Sequence, residues 1–130
     1  MVTLDEVGAM AAGLPEVEEG ERHGNRTWAV RGKTFAWERS FSKADIRRFG
    51  DEEPPGEPIV AVRVEDLSEK EAVLQADHPG VFTIPHFDGY AAVLVELDAA
   101  EGDVVRELVT DGWRAVAPPE LAEEHLGRSG

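Results

Sequence analysis

Two short runs of alternating apolar and polar residues, joined by Arg31-Gly32, place the strongest constraint on how this chain folds. Residues 27–31 and residues 34–38 each place large apolar side chains at every second position. A period of two is typical of β-strands, and a two-residue connection containing glycine is typical of a β-hairpin. The sequence therefore predicts a pair of antiparallel strands in its first third.

The length of that turn also predicts the register of the hairpin. Trp28 is expected opposite Phe35, and Val30 is expected opposite Lys33. One side of the hairpin then carries both Trp28 and Trp37, and we expect that side to contact the core.

Signals for further helices and strands recur along the rest of the chain. They predict a helix opened by a capping box at Thr3, an acidic loop over 16–21, and a short helix capped by Ser42 with Ile46 and Phe49 facing inward. Next come a Pro/Glu-rich loop over 51–58, a strand over 59–64 and a helix opened by a Ser68–Glu71 capping box. Strands are then expected over 81–84 and 90–97, followed by an amphipathic helix that begins at Gly102 and ends at Pro118-Pro119. Hairpin-type connections make the sheet mainly antiparallel. We therefore predict an α+β two-layer sandwich with helices on one face, in the order α-β3-α-β2-α.

Length and composition limit the classes of protein that need to be considered. The chain of 130 residues predicts a single domain over 1–118, followed by a polar C-terminal tail over 119–130. It has no cysteine, which excludes disulfides, thiolate metal sites and cysteine nucleophiles. Its N-terminus does not have the pattern of a signal peptide, and no apolar run reaches the roughly 18 residues that span a bilayer. We therefore expect a cytoplasmic protein without a membrane partner.

A family resemblance rests on six segments that cover nearly the whole chain in order. They are GLPEVEEGERHG (13–24), the hairpin WAVRGKTFA (28–36), IVAVRV (59–64), ADHPGVFTIPHF (76–87), GYAAVLVELD (89–98) and LVTDGWRAVAP (108–118). This ordered set resembles the MmcQ/YjbR family. The resemblance implies the same α-β3-α-β2-α two-layer fold, a "double wing" arrangement and a DNA-binding role, with no catalytic residues to carry over.

The distribution of charge singles out residues 22–48 as a candidate binding segment. This segment holds eight Lys/Arg and two acids, a net of +6, while the whole chain carries −14, so the remaining residues sum to −14 − 6 = −20. The first hypothesis is that the hairpin enters a groove of DNA while cations on the following helix contact the phosphate backbone. The site residues predicted on this hypothesis are Arg31, Lys33, Arg39, Lys43, Arg47 and Arg48. The alternative is that these cations pair with the acids of 16–21 or 51–53.

Other functions remain open at this point. A protein-interaction or chaperone-like module, self-associating as a homodimer or using its acidic surface against a basic partner, is the second hypothesis, and a small-ligand binder is the third. No G-x-S-x-G, P-loop or dinucleotide-binding motif is present, so we expect a protein that is not an enzyme and has no cofactor. His78 and His86 flank a predicted strand without metal-ligand spacing, so we expect surface histidines and no metal. Trp28 and Trp37 could stack on bases, but their shared side favours core packing.

Overall fold

The structure, a computed structural model, describes residues 2–53 and 56–129, with side chains described through Glu124. Its elements in chain order are α1 (Leu4–Ala12), β1 (Val17–Arg22), β2 (Asn25–Val30), β3 (Lys33–Glu38), α2 (Lys43–Arg48), β4 (Ile59–Arg63), α3 (Leu67–Gln75), β5 (Val81–Phe82), a 3₁₀ turn (Pro85–Phe87), β6 (Ala92–Glu96), α4 (Gly102–Val116) and α5 (Pro119–Ser129). The strands form a six-stranded sheet in the order β1-β2-β3-β4-β6-β5, and every neighbouring pair is antiparallel. The predicted α+β fold with an antiparallel sheet is confirmed.

Helix starts follow the capping signals of the sequence in two cases out of three. The capping boxes at Thr3 and Ser42 are both present. In α3, however, the side chain of Asp66 accepts a hydrogen bond from the Glu69 backbone N–H at 2.8 Å. The predicted box at Ser68 is therefore wrong, because an aspartate two residues earlier satisfies the first turn and starts the helix sooner.

The acidic segment predicted as a loop over 16–21 is instead mostly the edge strand β1. Its residues Val17–Arg22 pair with β2 along six consecutive positions. All but the first are exposed, and only that first residue, Val17, is apolar. The segment therefore lacks the apolar alternation by which a strand is recognised in a sequence. Pairing with the tryptophan-containing strand β2, not its own side chains, makes it a strand.

A β-bulge changes the predicted register of the hairpin. Val30 pairs with Lys33 as predicted, but the register shifts one residue further on and Trp28 pairs with Ala36, not with Phe35. An extra residue in one strand reverses the side on which the following side chains lie. Trp37 therefore lies on the opposite face of the sheet from Trp28, and the prediction that both tryptophans share one side is wrong.

The main core lies between one face of the sheet and the helices α1 and α4. The predicted apolar stripe of α4 is confirmed, since Val105, Leu108, Val109 and Trp113 are buried there beside Trp28. The core also includes Leu121 in the first turn of α5, which is 7% exposed. The segment 119–130, predicted as a polar tail, thus begins as a helix whose first turn packs on the domain; its residue 130 lies outside the described residues.

The other face of the sheet carries a second, smaller apolar cluster. Its buried members are Ile59, Ala61, Ile84, Phe87, Ala92 and Leu94, with Trp37, Phe41, Phe49 and Phe82 packed against them. Phe49 faces inward as predicted. Ile46 does not, because it is 49% exposed on α2.

Two further segments differ in extent from the prediction. The strand expected over 81–84 ends at Phe82, and the one expected over 90–97 begins at Ala92. The 3₁₀ turn lies between them and projects Phe87 onto the second cluster. The predicted loop over 51–58 includes residues 54 and 55, which lie outside the described residues.

Candidate ligand groove and basic surface

The structure divides the six predicted site cations into two groups. Two of them, Arg31 and Arg39, pair with carboxylates. The other four are exposed and have no carboxylate partner among the described side chains: Lys33, Lys43, Arg47 and Arg48. Lys33 begins β3 at the hairpin turn, whereas the other three lie on α2, which follows the far end of that strand. We call the four residues together the basic surface.

Arg31 lies at the tip of the hairpin, where acids hold it. Its Nη2 is 2.9 Å from Glu16 Oε2 and its Nη1 is 3.9 Å from Glu120 Oε1. The hydrogen bond from Arg31 lowers the pKa of Glu16. Arg31 thus pairs with the acidic segment, as the alternative interpretation expects. It does not present an open cation to a groove of DNA.

Arg39 serves a structural role beneath the second cluster. Its Nη2 donates to Asp45 Oδ2 at 2.9 Å, and its guanidinium lies 5.6 Å from the centre of the Phe87 ring. Asp45 is 2% exposed and also accepts from the Ser42 backbone N–H at 3.0 Å. Burial raises the pKa of Asp45, but the hydrogen bonds from Ser42 and Arg39 outweigh it, so that the pKa lies below its usual value.

A groove with a volume of about 810 Å³ opens on the second face of the sheet, between the hairpin and Tyr90. Its floor is formed by β2 and β3, which present the uncharged polar side chains of Asn25, Thr27 and Thr34. Four cations line it (Arg22, Lys33, Arg39 and Arg63) against two carboxylates (Glu21 and Glu38), a net of +2 that falls to +1 when Asp45, the partner of Arg39, is included. This excess of positive charge stands out in a chain with a net charge of −14.

Aromatic rings form one wall of the groove. The Trp37 ring stacks on Phe87 with centroids 6.4 Å apart and an interplanar angle of 26°. The ring of Tyr90 is 6.2 Å from Trp37 and is 39% exposed. The Arg63 guanidinium lies 5.7 Å from the Tyr90 ring centre. A rigid aromatic surface beside several cations can bind a planar ring that carries negative charge.

A buried lysine of α3 holds this aromatic wall in place. Lys70 is 7% exposed, and its Nζ donates to the backbone oxygens of Phe87 at 2.6 Å and Tyr90 at 2.8 Å. Burial lowers the pKa of Lys70, and the charge of Asp88 partly opposes that change. The ammonium thus holds in place the chain segment that carries the Phe87 and Tyr90 rings.

Sequence reasoning missed several of the residues that line or support the groove. A strict period of two places Trp37 beside Trp28 in the core, and a bulge cannot be read from that pattern. Lys70 had a usable signal, since it stands between Leu67 and Leu74 at helical spacing, where an apolar residue is expected. A charged residue at such a position indicates a specific buried partner.

Neither a metal-ligand cluster nor a membrane-spanning helix is found in the part of the chain that the structure describes. Within it, no three His, Asp or Glu side chains converge as metal ligands would. Over the same residues, no helix combines the length and apolar character needed to cross a bilayer.

A known protein family matches the part of the chain that contains the groove and α2. The family model described as YjbR matches residues 12–115, which include every residue of the groove and of α2. The chain belongs to the YjbR family. The predicted resemblance is confirmed.

Relatives of similar length and a solved structure agree with this assignment. "Uncharacterized protein Rv2570" of Mycobacterium tuberculosis and "Uncharacterized protein Mb2600" of Mycobacterium bovis are each 45% identical over 134 residues, covering 100% of both chains. The crystal structure of Deinococcus radiodurans protein DR2400, described with the family-model domain DUF419, aligns with a TM-score of 0.62. It covers 98% of this chain and 89% of its own at 16% identity, so the likeness concerns the fold.

Proposed function

We propose that this protein binds nucleic acid through its basic surface, with Lys33 at the groove and Lys43, Arg47 and Arg48 on α2. The observation that carries the proposal is that these four exposed cations lack carboxylate partners among the described side chains, although the chain has 27 acids. Phosphate oxygens are natural partners for unpaired Lys and Arg side chains.

The local charge of α2 supports a contact with phosphates. The helix Lys43–Arg48 has one acid, Asp45, and that carboxylate is buried and already paired with Arg39. Its three cations are exposed. The helix therefore presents positive charge to solvent without a compensating acid of its own.

The proposed geometry differs from insertion of the hairpin tip into duplex DNA. Arg31, at that tip, is engaged by Glu16 and Glu120. Contacts from α2 and from Lys33 leave these ion pairs intact. We therefore propose a binding role without a catalytic step, and a cytoplasmic location, expected from the sequence, belongs to the same proposal.

The net charge of the protein determines how binding must depend on salt. At −14 the protein as a whole repels a polyanion, so binding relies on the short-range contacts of the basic surface. Four phosphate contacts on a single strand correspond to a slope of about −3 in a plot of log affinity against log salt concentration.

The test is a fluorescence anisotropy titration with labelled single-stranded and duplex oligonucleotides at low and rising salt. We expect the Arg47→Ala/Arg48→Ala variant to bind more weakly and to lower the magnitude of the slope by about 1.4. A matched control, Arg106→Ala/Arg114→Ala, removes the same charge from exposed positions on α4. Absence of binding at low salt, or equal losses in both variants, would refute the proposal.

Self-association through the β1 edge of the sheet is a weaker candidate. The edge strand β1 exposes Glu18 and Glu21. Two copies paired along this edge would bring like charges together, and acidic edges of this kind disfavour pairing.

A further inference from the structure

We infer that the groove binds an unpaired nucleobase together with its phosphate, so that the protein selects single strands over duplexes. The groove comprises the residues between the hairpin and Tyr90 described above. This inference rests on the proposed function, nucleic-acid binding, and names the form of nucleic acid that the groove accepts.

The aromatic wall provides a fixed surface for base stacking. Phe87, which is 3% exposed, backs Trp37 with nearly parallel rings, and Trp37 itself lines the groove beside the half-exposed Tyr90. Lys70 fastens the segment that carries Phe87 and Tyr90. A surface held in position before binding loses little conformational freedom when the ligand arrives, which favours affinity.

The groove has a cation at each end of β2, beside the first and the last residue of that strand, so a phosphate on either side of a bound base would meet a positive charge. Arg22 and Lys33 line it and have no carboxylate partner among the described side chains. Arg63 lies over the Tyr90 ring, where its guanidinium can also reach a phosphate or continue a stack. Ring surface and positive charge thus occur within one cavity.

The size and polarity of the groove fit one nucleotide unit. Its volume of about 810 Å³ lies within the range of ligand sites, and Asn25, Thr27 and Thr34 offer uncharged donors and acceptors for a base edge. In a duplex the faces of the bases are covered by their neighbours, so they cannot reach a ring on a concave sheet face. Single strands expose those faces.

The first experiment compares a single-stranded oligonucleotide with a duplex of equal length by anisotropy, using the wild type, Tyr90→Ala and Tyr90→Phe. We expect a preference for the single strand of about ten-fold or more, lost in Tyr90→Ala and kept in Tyr90→Phe, which retains the ring. The salt slope should be unchanged in Tyr90→Ala because no phosphate contact is removed. Equal affinity for single strand and duplex in the wild type would overturn the inference while leaving nucleic-acid binding intact.

A second measurement reads the signal in the wild type and uses Trp37→Phe only to assign that signal to one residue. Trp28 and Trp113 are fully buried, so a change in tryptophan emission on adding adenosine monophosphate to the wild type should report on Trp37. We expect saturable quenching that fails in Trp37→Phe. If millimolar nucleotide causes no quenching and Tyr90→Ala leaves oligonucleotide affinity unchanged, the inference that the groove binds a nucleotide is overturned. If the wild type binds no oligonucleotide even at low salt, the proposed function itself is refuted.

Discussion

Replacing Lys70 by methionine tests whether the buried ammonium holds the aromatic wall. Methionine keeps most of the length and apolar stem of the side chain but has no donor. The two backbone oxygens that accept from the Lys70 ammonium, those of Phe87 and Tyr90, would lose hydrogen bonds of 2.6 and 2.8 Å. Since the first of these sites is buried, water replaces the lost donor poorly there.

The magnitude follows from two opposing effects. Each oxygen keeps one backbone donor, the Tyr90 N–H for Phe87 and the Ala92 N–H for Tyr90, so neither is left unsatisfied. A hydrogen bond from a charged donor contributes roughly 1.5–3 kcal/mol, and losing two of them would cost about 3–6 kcal/mol. Removing a desolvated ammonium returns part of that cost, because burial of the charge is itself unfavourable. We therefore expect a net loss of about 3 kcal/mol in the free energy of unfolding, or roughly 10 °C in Tm for a domain of this size.

The assay is urea unfolding followed by circular dichroism, paired with oligonucleotide anisotropy under native conditions. Lys43→Met is the matched control for the unfolding measurement alone, because Lys43 is itself a proposed phosphate contact. Lys43 is exposed on α2, so the substitution should change the free energy of unfolding by less than about 0.5 kcal/mol. Lys70→Met should also weaken the single-strand preference, because Tyr90 is no longer held. Unchanged stability in Lys70→Met would refute the reasoning that the ammonium is essential to this segment.

Three further predictions concern the stability of the fold. Gly112→Ala should destabilise the domain by about 1–3 kcal/mol in urea unfolding, because a Cβ there would lie 2.8 Å from Val62 Cγ1; an unchanged midpoint would show that α4 can move away from the sheet. Leu121→Ala should cost about 2 kcal/mol or more in the same assay, since this side chain is buried in the main core; no loss would mean that α5 contributes nothing to stability. The folded-state pKa of Asp45 is lowered, so its contribution is present above its unfolded pKa of about 4 and disappears as pH falls through the folded value. Asp45→Asn should therefore lose stability at pH 7 and less at pH 2; equal losses at both pH values would contradict this.

Several features of this protein could be predicted from sequence because short-range interactions decide them. The helix starts at Thr3 and Ser42 depend on side chains three residues away, and the Arg31-Gly32 turn depends on residues that adopt a positive φ. The stripe of α4 follows from helical spacing alone. The ordered motifs were likewise sufficient to predict the family, which the match over residues 12–115 confirms.

The candidate site depends on interactions that link distant parts of the chain. The strand character of β1 arises only from pairing with β2, and the bulge between the Trp28–Ala36 and Ala29–Thr34 pairs places Trp37 on the groove face, away from Trp28. In the same way, Arg31 and Arg39 proved to be paired cations, because their partners approach only in the folded chain. Local patterns state which residues prefer a helix or a strand, whereas register, partner choice and the face on which a side chain lies are decided by the packing of the whole sheet.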